Sequence, residues 1–439
     1  MLKVRVQPLW LKSRAFIPLL IGLGILAAFL GLNHGAYDGF FQDDELDNLQ
    51  WAPLLPAGIF IRSLLMPRFE ADNFRPVGHL YFALMGRYFG LDFPPYMTPV
   101  FAIHLINALL LFLLIRKLGV NQWCALAASA FFTLSATAFD AYWKPMYVFD
   151  LLCTTFSLGC ILLYACGRRV LSFLAFWLAY KSKELAVMLP AVLVLYEYWF
   201  GARKFKVLIL FLLAALNFGL QGIFLNPNRN NPYAFRFTAH ALEQTVPFYA
   251  RRFLLFPLSG LLLFGLALIR DRRIWFGLAA MCLVMVPLLF LPGRLYEAYA
   301  YLPLACAAIA IAAAASRLSP VWIWLALAVW MPFNIRQLRQ EGRAILDADD
   351  QIFAFVDAMA KFAGRQPDIL TFIYDGRPAN FHDWGVKGAW SIIHRQVDRP
   401  AFYVFQPGAS SALASQTVAY GSWDGRRHIL DISIQSPHH

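Results

Sequence analysis

Residues 15–48 read AFIPLLIGLGILAAFLGLNHGAYDGFFQDDELDN, an apolar run that ends a few residues before a group of acids. The run from Ala15 to Leu32 is close to the roughly 20 residues that cross the hydrocarbon core of a bilayer as a helix. It follows a basic flank, MLKVRVQPLWLKSR, but no small-residue cleavage site comes after it. We therefore expect a retained transmembrane helix rather than a signal peptide that is removed.

Apolar runs of this kind recur along most of the chain. Of the 439 residues, 60% are hydrophobic and 15% are charged, which excludes a soluble enzyme and is typical of a polytopic membrane protein. The runs lie near residues 15–32, 96–115, 122–141, 146–166, 170–181, 184–200, 205–225, 253–269, 274–292, 298–315 and 320–334. They predict an all-α polytopic membrane protein with about eleven transmembrane helices.

The net charge of +12 is distributed in a way that predicts the topology. With the N-terminus in the cytoplasm, the cytoplasmic segments carry 15 basic residues and two acids, whereas the tail after residue 334 carries 11 of each. The opposite-side segments before residue 335 carry 12 basic and 13 acidic residues. The excess charge is therefore a positive-inside signature and gives no support for nucleic-acid binding. We expect a bacterial inner-membrane protein whose acidic group and C-terminal tail face the periplasm.

Two apolar stretches follow the first span in a long outer loop. They read LLPAGIFIRSLLMPRF (residues 54–69) and FRPVGHLYFALMGRYFG (residues 74–90), and each contains two arginines: Arg62 and Arg68, then Arg75 and Arg87. An arginine at the bilayer centre costs about 2.5–3.5 kcal/mol on insertion scales. These stretches are therefore predicted to be helices lying in the membrane interface, with their arginines turned toward water or phosphate.

A polar interruption, KSKE (residues 181–184), separates two short apolar runs. Such an interruption at membrane depth is tolerated only where it is buried in protein or lines a cavity. We therefore expect Lys181, Lys183 and Glu184 at the outer mouth of a cavity rather than against lipid.

The chain changes character after Pro332. An amphipathic helix is predicted from residue 334 to 364, and four short strands are predicted in DILTFIYD, AFYVF, TVAYG and HILDISI. The predicted domains are a transmembrane catalytic domain, residues 1–334, and a small soluble α/β or α+β domain, residues 335–439. The six cysteines all lie in apolar runs without a CxxC pair, which argues against disulfides and a zinc site.

The acids after the first span are Asp43, Asp44, Glu45 and Asp47, in a predicted catalytic loop rimmed by aromatic residues. Neighbouring carboxylates raise each other's pKa, which suits one of them to accept a proton near neutral pH. The alternative is an acidic loop that is simply solvated. We assign Glu45 and Asp47 to that alternative.

Five motifs in order along the first 310 residues resemble the GT-C superfamily of integral-membrane glycosyltransferases. They are Asp43–Asp44, FRPVGHL (residues 74–80), HLINALLLFLLIRKLG (104–119), KSKELAVMLP (181–190) and RLYEAYAYLPL (294–304). Within the superfamily the chain looks most like the protein O-mannosyltransferase branch, including the membrane domains of the tetratricopeptide-repeat mannosyltransferases. It differs from them in having no tetratricopeptide array and in its third-loop pattern, YEAYAYLP.

The resemblance implies a reaction in which a sugar leaves a polyprenyl-phosphate carrier. Asp43 would be the base, and Asp44 would orient the acceptor or help to hold a cation. The choice of base between the two acids stays open, as does a divalent cation, whose ligands would be Asp43 and Asp44. The expected ligands of the donor phosphate are Arg75, Lys183, Arg294, Arg251 and Arg252. Glu184, Glu297, His79 and Tyr299 are expected to line the cavity or bind the acceptor. The alternative for the arginines and lysines is that they extend to the membrane interface and only determine the topology. The alternative for His79 and His104 is that they are hydrogen-bonded packing residues.

The sequence thus predicts an inverting glycosyltransferase that moves a sugar from a polyprenyl-phosphate-linked donor to an acceptor protein, lipid or glycan on the outer face of the membrane. The identities of the sugar and the acceptor stay open, and no cofactor is assigned. The alternative function is a membrane transporter or lipid flippase, for which a broken helix at KSKE is also suitable. No inverted repeat is evident in the chain, and its acids lie mostly outside the apolar runs.

Overall fold

The computed structural model describes residues 9–67, 74–224, 232 and 234–437. The chain separates into two compact units, which we describe in turn. The first unit comprises residues 1–34, 65–75 and 100–338, and the second comprises residues 35–64, 76–99 and 339–439. The predicted domains 1–334 and 335–439 differ from this partition, because the second unit also includes the acidic stretch and the helix that follows FRP.

The described residues form seventeen α-helices and four β-strands. The helices are α1 (Leu9–Asn33), α2 (Asp43–Trp51), α3 (Ala57–Leu65), α4 (Pro76–Phe89), α5 (Pro94–Lys117), α6 (Gln122–Leu134), α7 (Phe139–Trp143), α8 (Val148–Ala165), α9 (Arg169–Ser182), α10 (Leu189–Trp199), α11 (Ile209–Phe224), α12 (Ala239–Arg252), α13 (Arg272–Leu289), α14 (Tyr301–Ala315), α15 (Pro320–Arg365), α16 (Asp383–Ile393) and α17 (Pro407–Ser415). The strands are β1 (Phe372–Asp375), β2 (Ala401–Tyr403), β3 (Val418–Asp424) and β4 (Ile429–Gln435).

Several of these helices are candidates for crossing a membrane, which confirms a multi-pass membrane protein. Within the described residues, five helical segments are long and apolar enough, and a sixth is added if α6 and the segment Ala136–Trp143, bent by 52°, form one span. The five are Phe16–Asp38, Pro94–Lys117, Pro145–Ala165, Arg272–Leu289 and Glu297–Ala315. Other predicted runs fold as shorter helices, such as α9 and α10 on either side of KSKE. The count of eleven therefore stays a prediction.

The first unit is packed around α14, whose residues are almost all buried alanines and other small or apolar side chains. Small residues let neighbouring backbones approach closely: a Cβ on Gly277 of α13 would lie 2.6 Å from the Ala310 nitrogen. His104 on α5 is fully buried, with Nδ1 2.6 Å from the Tyr301 hydroxyl and Nε2 3.0 Å from the Thr133 carbonyl oxygen. His104 is therefore a hydrogen-bonded packing histidine, as its alternative assignment predicts.

The second unit contains a mixed four-stranded sheet in the order β2-β1-β3-β4. Strand β1 pairs in parallel with β2 and β3, and β3 pairs antiparallel with β4, with Phe372 opposite Ala401 and Ala419. Each of the four strands overlaps one of the four predicted segments, and β3 and β4 extend beyond theirs, to Asp424 and Gln435. This confirms the small C-terminal domain with a mixed sheet. The predicted amphipathic helix is also present, as the C-terminal part of the continuous helix α15.

The acidic stretch of the second unit is a helix, so the prediction of a loop there is wrong. Helix α2 begins at Asp43 because the Glu45 carboxylate turns back to accept a 2.5 Å hydrogen bond from the Gln42 backbone N–H, which satisfies a helix-start donor. Glu45 is fully buried, which overturns its assignment as a solvated charge. Asp47 is half-buried and accepts a 2.7 Å hydrogen bond from the Gln50 side chain.

Candidate active site

The break between α9 and α10 in the first unit carries a buried ion pair. Lys183 is the first residue after α9, and its Nζ lies 2.6 Å from both carboxylate oxygens of Asp150, in the first turn of α8. The same nitrogen lies 3.9 Å from the ring centre of Tyr299. The polar interruption is thus satisfied inside the protein, as such a break requires. Asp150 is a functional candidate that the sequence analysis missed.

The next residue along the break forms a second pair. Glu184 accepts a 2.8 Å hydrogen bond from the Nε of Arg75, and the Arg75 guanidinium also lies 5.4 Å from the ring centre of Phe149. Arg75 and Lys183, two of the predicted phosphate ligands, are therefore brought together through adjacent residues of one helix break.

A third group comes from the segment before α14. Arg294 lies over the Tyr296 ring, 4.7 Å from its centre, and its Nη1 donates a 3.2 Å hydrogen bond to the Tyr296 hydroxyl. It is also close enough to Tyr299 to interact with it electrostatically. Arg252, at the end of α12, forms an ion pair with Glu297. Arg251 lies beside it in sequence, and its side chain is exposed.

We call these residues the cation cluster; its members are Arg75, Lys183, Arg252, Arg294, Asp150, Glu184, Glu297 and Tyr299. Four basic residues face three carboxylates, which leaves a formal charge of +1. The Tyr249 hydroxyl, close enough to Tyr299 and Asp150 to interact electrostatically, is buried and has no hydrogen-bond partner among the described residues. An excess cation and an unused donor in a buried setting are what an anionic ligand requires.

In the second unit, a segment from the C-terminal tail holds both candidate catalytic acids. The Asp43 Oδ1 accepts a 2.7 Å hydrogen bond from the His382 backbone N–H, and Oδ2 lies 2.5 Å from the His382 Nδ1. Asp44 accepts a 3.1 Å hydrogen bond from the Trp384 indole N–H. The rings of His382 and Trp384 stack with centres 4.5 Å apart.

This environment raises the pKa of Asp43 above its ordinary value. Burial is the largest cause, the hydrogen bonds and charge of His382 oppose it, and the charge of Asp44 adds to it. A raised pKa at Asp43 agrees with the prediction for a proton acceptor. The main cause of this rise is the removal of the carboxyl from water rather than the charge of the neighbouring Asp44.

His79 on α4 also belongs to this unit. It is buried, its Nε2 lies 3.0 Å from the Asn48 side-chain oxygen, and its ring packs 4.8 Å from that of Trp51. His79 therefore contacts the face of α2 beyond the acids, in the way that a packing histidine would. Within the part of the chain that the structure describes, no group of three or more His, Cys, Asp or Glu residues is arranged to hold a metal ion.

This architecture, a multi-pass helical membrane chain with a small C-terminal mixed sheet, has the GT-C fold of membrane glycosyltransferases. A crystal structure of ArnT from Cupriavidus metallidurans in the apo state matches with a TM-score of 0.53 and 12% sequence identity, over 94% of this chain and 94% of that one. A crystal structure of the same protein bound to undecaprenyl phosphate matches with a TM-score of 0.48 and 14% identity, over 92% and 93% of the two chains. No protein-family model and no curated protein matches the sequence. The predicted GT-C class is thus confirmed as a fold, and the mannosyltransferase branch stays a prediction.

Proposed function

We propose that the chain is an inverting glycosyltransferase that moves a sugar from a polyprenyl-phosphate donor to an acceptor on the outer face of the membrane. The observation that carries this proposal is the cation cluster, four basic side chains gathered around a helix break in a chain with the GT-C fold. The raised pKa of Asp43 supports a base in the same chain.

The reaction is a single displacement. The acceptor oxygen attacks the anomeric carbon, the bond from that carbon to the phosphate oxygen breaks, and the configuration inverts. The acceptor proton passes to a base at Asp43, and polyprenyl phosphate leaves as an anion. Fixed cations stabilise the charge that develops on the leaving phosphate, the role proposed for Arg75, Lys183 and Arg294 with Arg252 and Arg251.

The remaining residues support this chemistry. Glu184 and Glu297 hold Arg75 and Arg252 in place, since each forms an ion pair with one of them. Tyr299 offers a ring face to Lys183 and a hydroxyl beside Arg294, where it is suited to contact the sugar or the phosphate.

The test is sugar transfer in proteoliposomes, measured with a synthetic polyprenyl-phosphate sugar and extracts of candidate acceptors. Asp43→Asn and Asp44→Asn should abolish or strongly reduce transfer. Asp47→Asn is the matched control, because Asp47 is another half-buried acid of the same helix, with its own hydrogen bond to Gln50. Full transfer by a well-folded Asp43→Asn, Asp44→Asn double variant would refute the proposal.

A transporter or lipid flippase is the second candidate, and the break between α9 and α10 is the observation that favours it. The two functions differ in what happens to the donor. A transferase breaks the sugar–phosphate bond, whereas a flippase moves the intact lipid. Measuring bond cleavage and lipid movement in the same vesicles separates them, since movement of intact donor without cleavage would identify the flippase.

A further inference from the structure

The segment His382–Gly385, HDWG, at the start of α16 is built around the acids of α2. His382 binds Asp43 through both its backbone N–H and its ring, and Trp384 binds Asp44. No motif in the sequence marks this segment, and the function proposed above does not use it.

Two glycines make the close approach of α16 to α2 possible. A Cβ on Gly385 would lie 2.4 Å from the Asp43 Oδ1, and a Cβ on Gly388 would lie 2.7 Å from the Leu46 carbonyl carbon. Neither distance leaves space for a side chain, so the contact between the two helices depends on glycine at both positions. The His382–Asp43 pair is therefore part of a packed helix interface rather than a chance surface contact.

The two members of the pair differ in their access to solvent. The Asp43 side chain is 14% exposed, and each of its oxygens already has a hydrogen-bonding partner on His382. The His382 side chain is 49% exposed. Because Nδ1 is engaged by Asp43 and about half of the side chain is exposed, Nε2 is the ring nitrogen that is left to accept a proton from an incoming hydroxyl. Stacking on Trp384 fixes the plane of the ring.

We propose that His382 is a catalytic residue of the transfer reaction, acting through Nε2 as the proton acceptor. Asp43 accepts the Nδ1–H hydrogen bond, holds the ring in the tautomer with an unprotonated Nε2, and stabilises the imidazolium that forms. The acceptor proton passes to Nε2 as the acceptor oxygen bonds to the sugar, and it leaves to solvent from the exposed ring after polyprenyl phosphate departs. This inference rests on the proposed function and transfers the role of the base from Asp43 alone to the Asp43–His382 pair.

The decisive variant is His382→Asn. The asparagine amide N–H takes the place of Nδ1–H, so the hydrogen bond to Asp43 is retained while the basic nitrogen is lost. We expect kcat to fall by about 10²- to 10⁴-fold, the usual contribution of a general base, with the KM for the donor little changed. His394→Asn, at the other end of α16, is the matched control and should keep the wild-type kcat.

Each outcome decides the question. His382→Asn with at least half of the wild-type kcat would overturn the inference, while loss of transfer in Asp43→Asn would leave the proposed function standing. If the wild-type protein itself cleaves no polyprenyl-phosphate sugar, the proposed function fails and this inference fails with it. Thermal unfolding of each variant, compared with wild type, shows whether a lost rate reflects lost chemistry or lost folding.

Discussion

The buried pair of Lys183 and Asp150 allows the structural and functional roles of one cation to be measured separately. In Lys183→Met the Asp150 carboxylate loses the ammonium that binds both of its oxygens at 2.6 Å. The two side chains are 11% and 4% exposed, so solvent screens the pair little. Removing one partner of such a pair costs about 3–5 kcal/mol, because the other charge is left buried and uncompensated.

A second substitution should remove most of that cost. In Lys183→Met/Asp150→Leu both charges are gone, and replacing a buried ion pair by apolar residues is often neutral or stabilising. The control is Lys144→Met, which breaks a looser pair with Asp140: the N–O distance is 3.7 Å and each side chain is 20% exposed. Its effect should be smaller than that of Lys183→Met, because the two charges lie farther apart and solvent screens them more.

The measurements are denaturant unfolding in detergent and the initial rate of sugar transfer over a range of donor concentrations. If Lys183 binds the donor phosphate, the double variant regains stability but keeps a raised donor KM or a lowered kcat. If Lys183 is only structural, the double variant regains both stability and rate. An unfolding free energy of Lys183→Met within about 0.5 kcal/mol of wild type would refute the reasoning, since the pair would then not be buried and coupled as described.

Three further predictions concern α2 and its contacts. Gly388→Ala should lower the unfolding free energy by about 1 kcal/mol, because a clash with the Leu46 backbone outweighs the gain in helix propensity. The control is Gly364→Ala, which has open space at its Cβ and should be neutral or stabilising. Equal effects of the two substitutions would contradict this prediction. Burial raises the pKa of Asp43, so the unfolding free energy of wild type relative to Asp43→Asn is greatest below the ordinary carboxyl pKa of about 3.9. This stability difference decreases as the pH rises through the raised pKa of Asp43. A stability difference that does not vary with pH would contradict that direction. Glu45→Ala should destabilise the protein by about 0.5–2 kcal/mol through loss of the cap, as shown by unfolding, and an unchanged midpoint would count against the cap.

Local patterns in the sequence were sufficient for much of the fold and for part of the candidate site. The length of the apolar run identified the first span. Short apolar segments separated by turn residues identified the four strands of the C-terminal sheet. Arg75, Lys183 and Arg294 were selected because motifs and interrupted apolar runs mark them, and each of them belongs to the cation cluster. An acid inside an apolar run is also a usable signal, and it would have identified Asp150 as a partner for Lys183.

The contacts of the acidic helix were beyond such patterns. Nothing near Asp43 in the sequence points to His382, 339 residues away, and a lone histidine in a polar tail carries no signal of its own. Burial of Glu45 was likewise missed, since DDEL is as typical of a solvated loop as of the first turn of a helix. In both cases tertiary packing, not local propensity, decides the environment of the side chain.

The distant partners of α2 also bear on how the protein matures during synthesis. The Gln42 side chain donates a hydrogen bond to Asp349, which lies 307 residues later in the chain. Asp43 hydrogen-bonds His382, which lies 339 residues later. At roughly 5–20 residues per second, a ribosome needs about 20–70 s to produce the second partner after the first. A nascent chain that has only its early helices therefore carries these acids without the groups that orient them, so the proposed centre forms only late in synthesis.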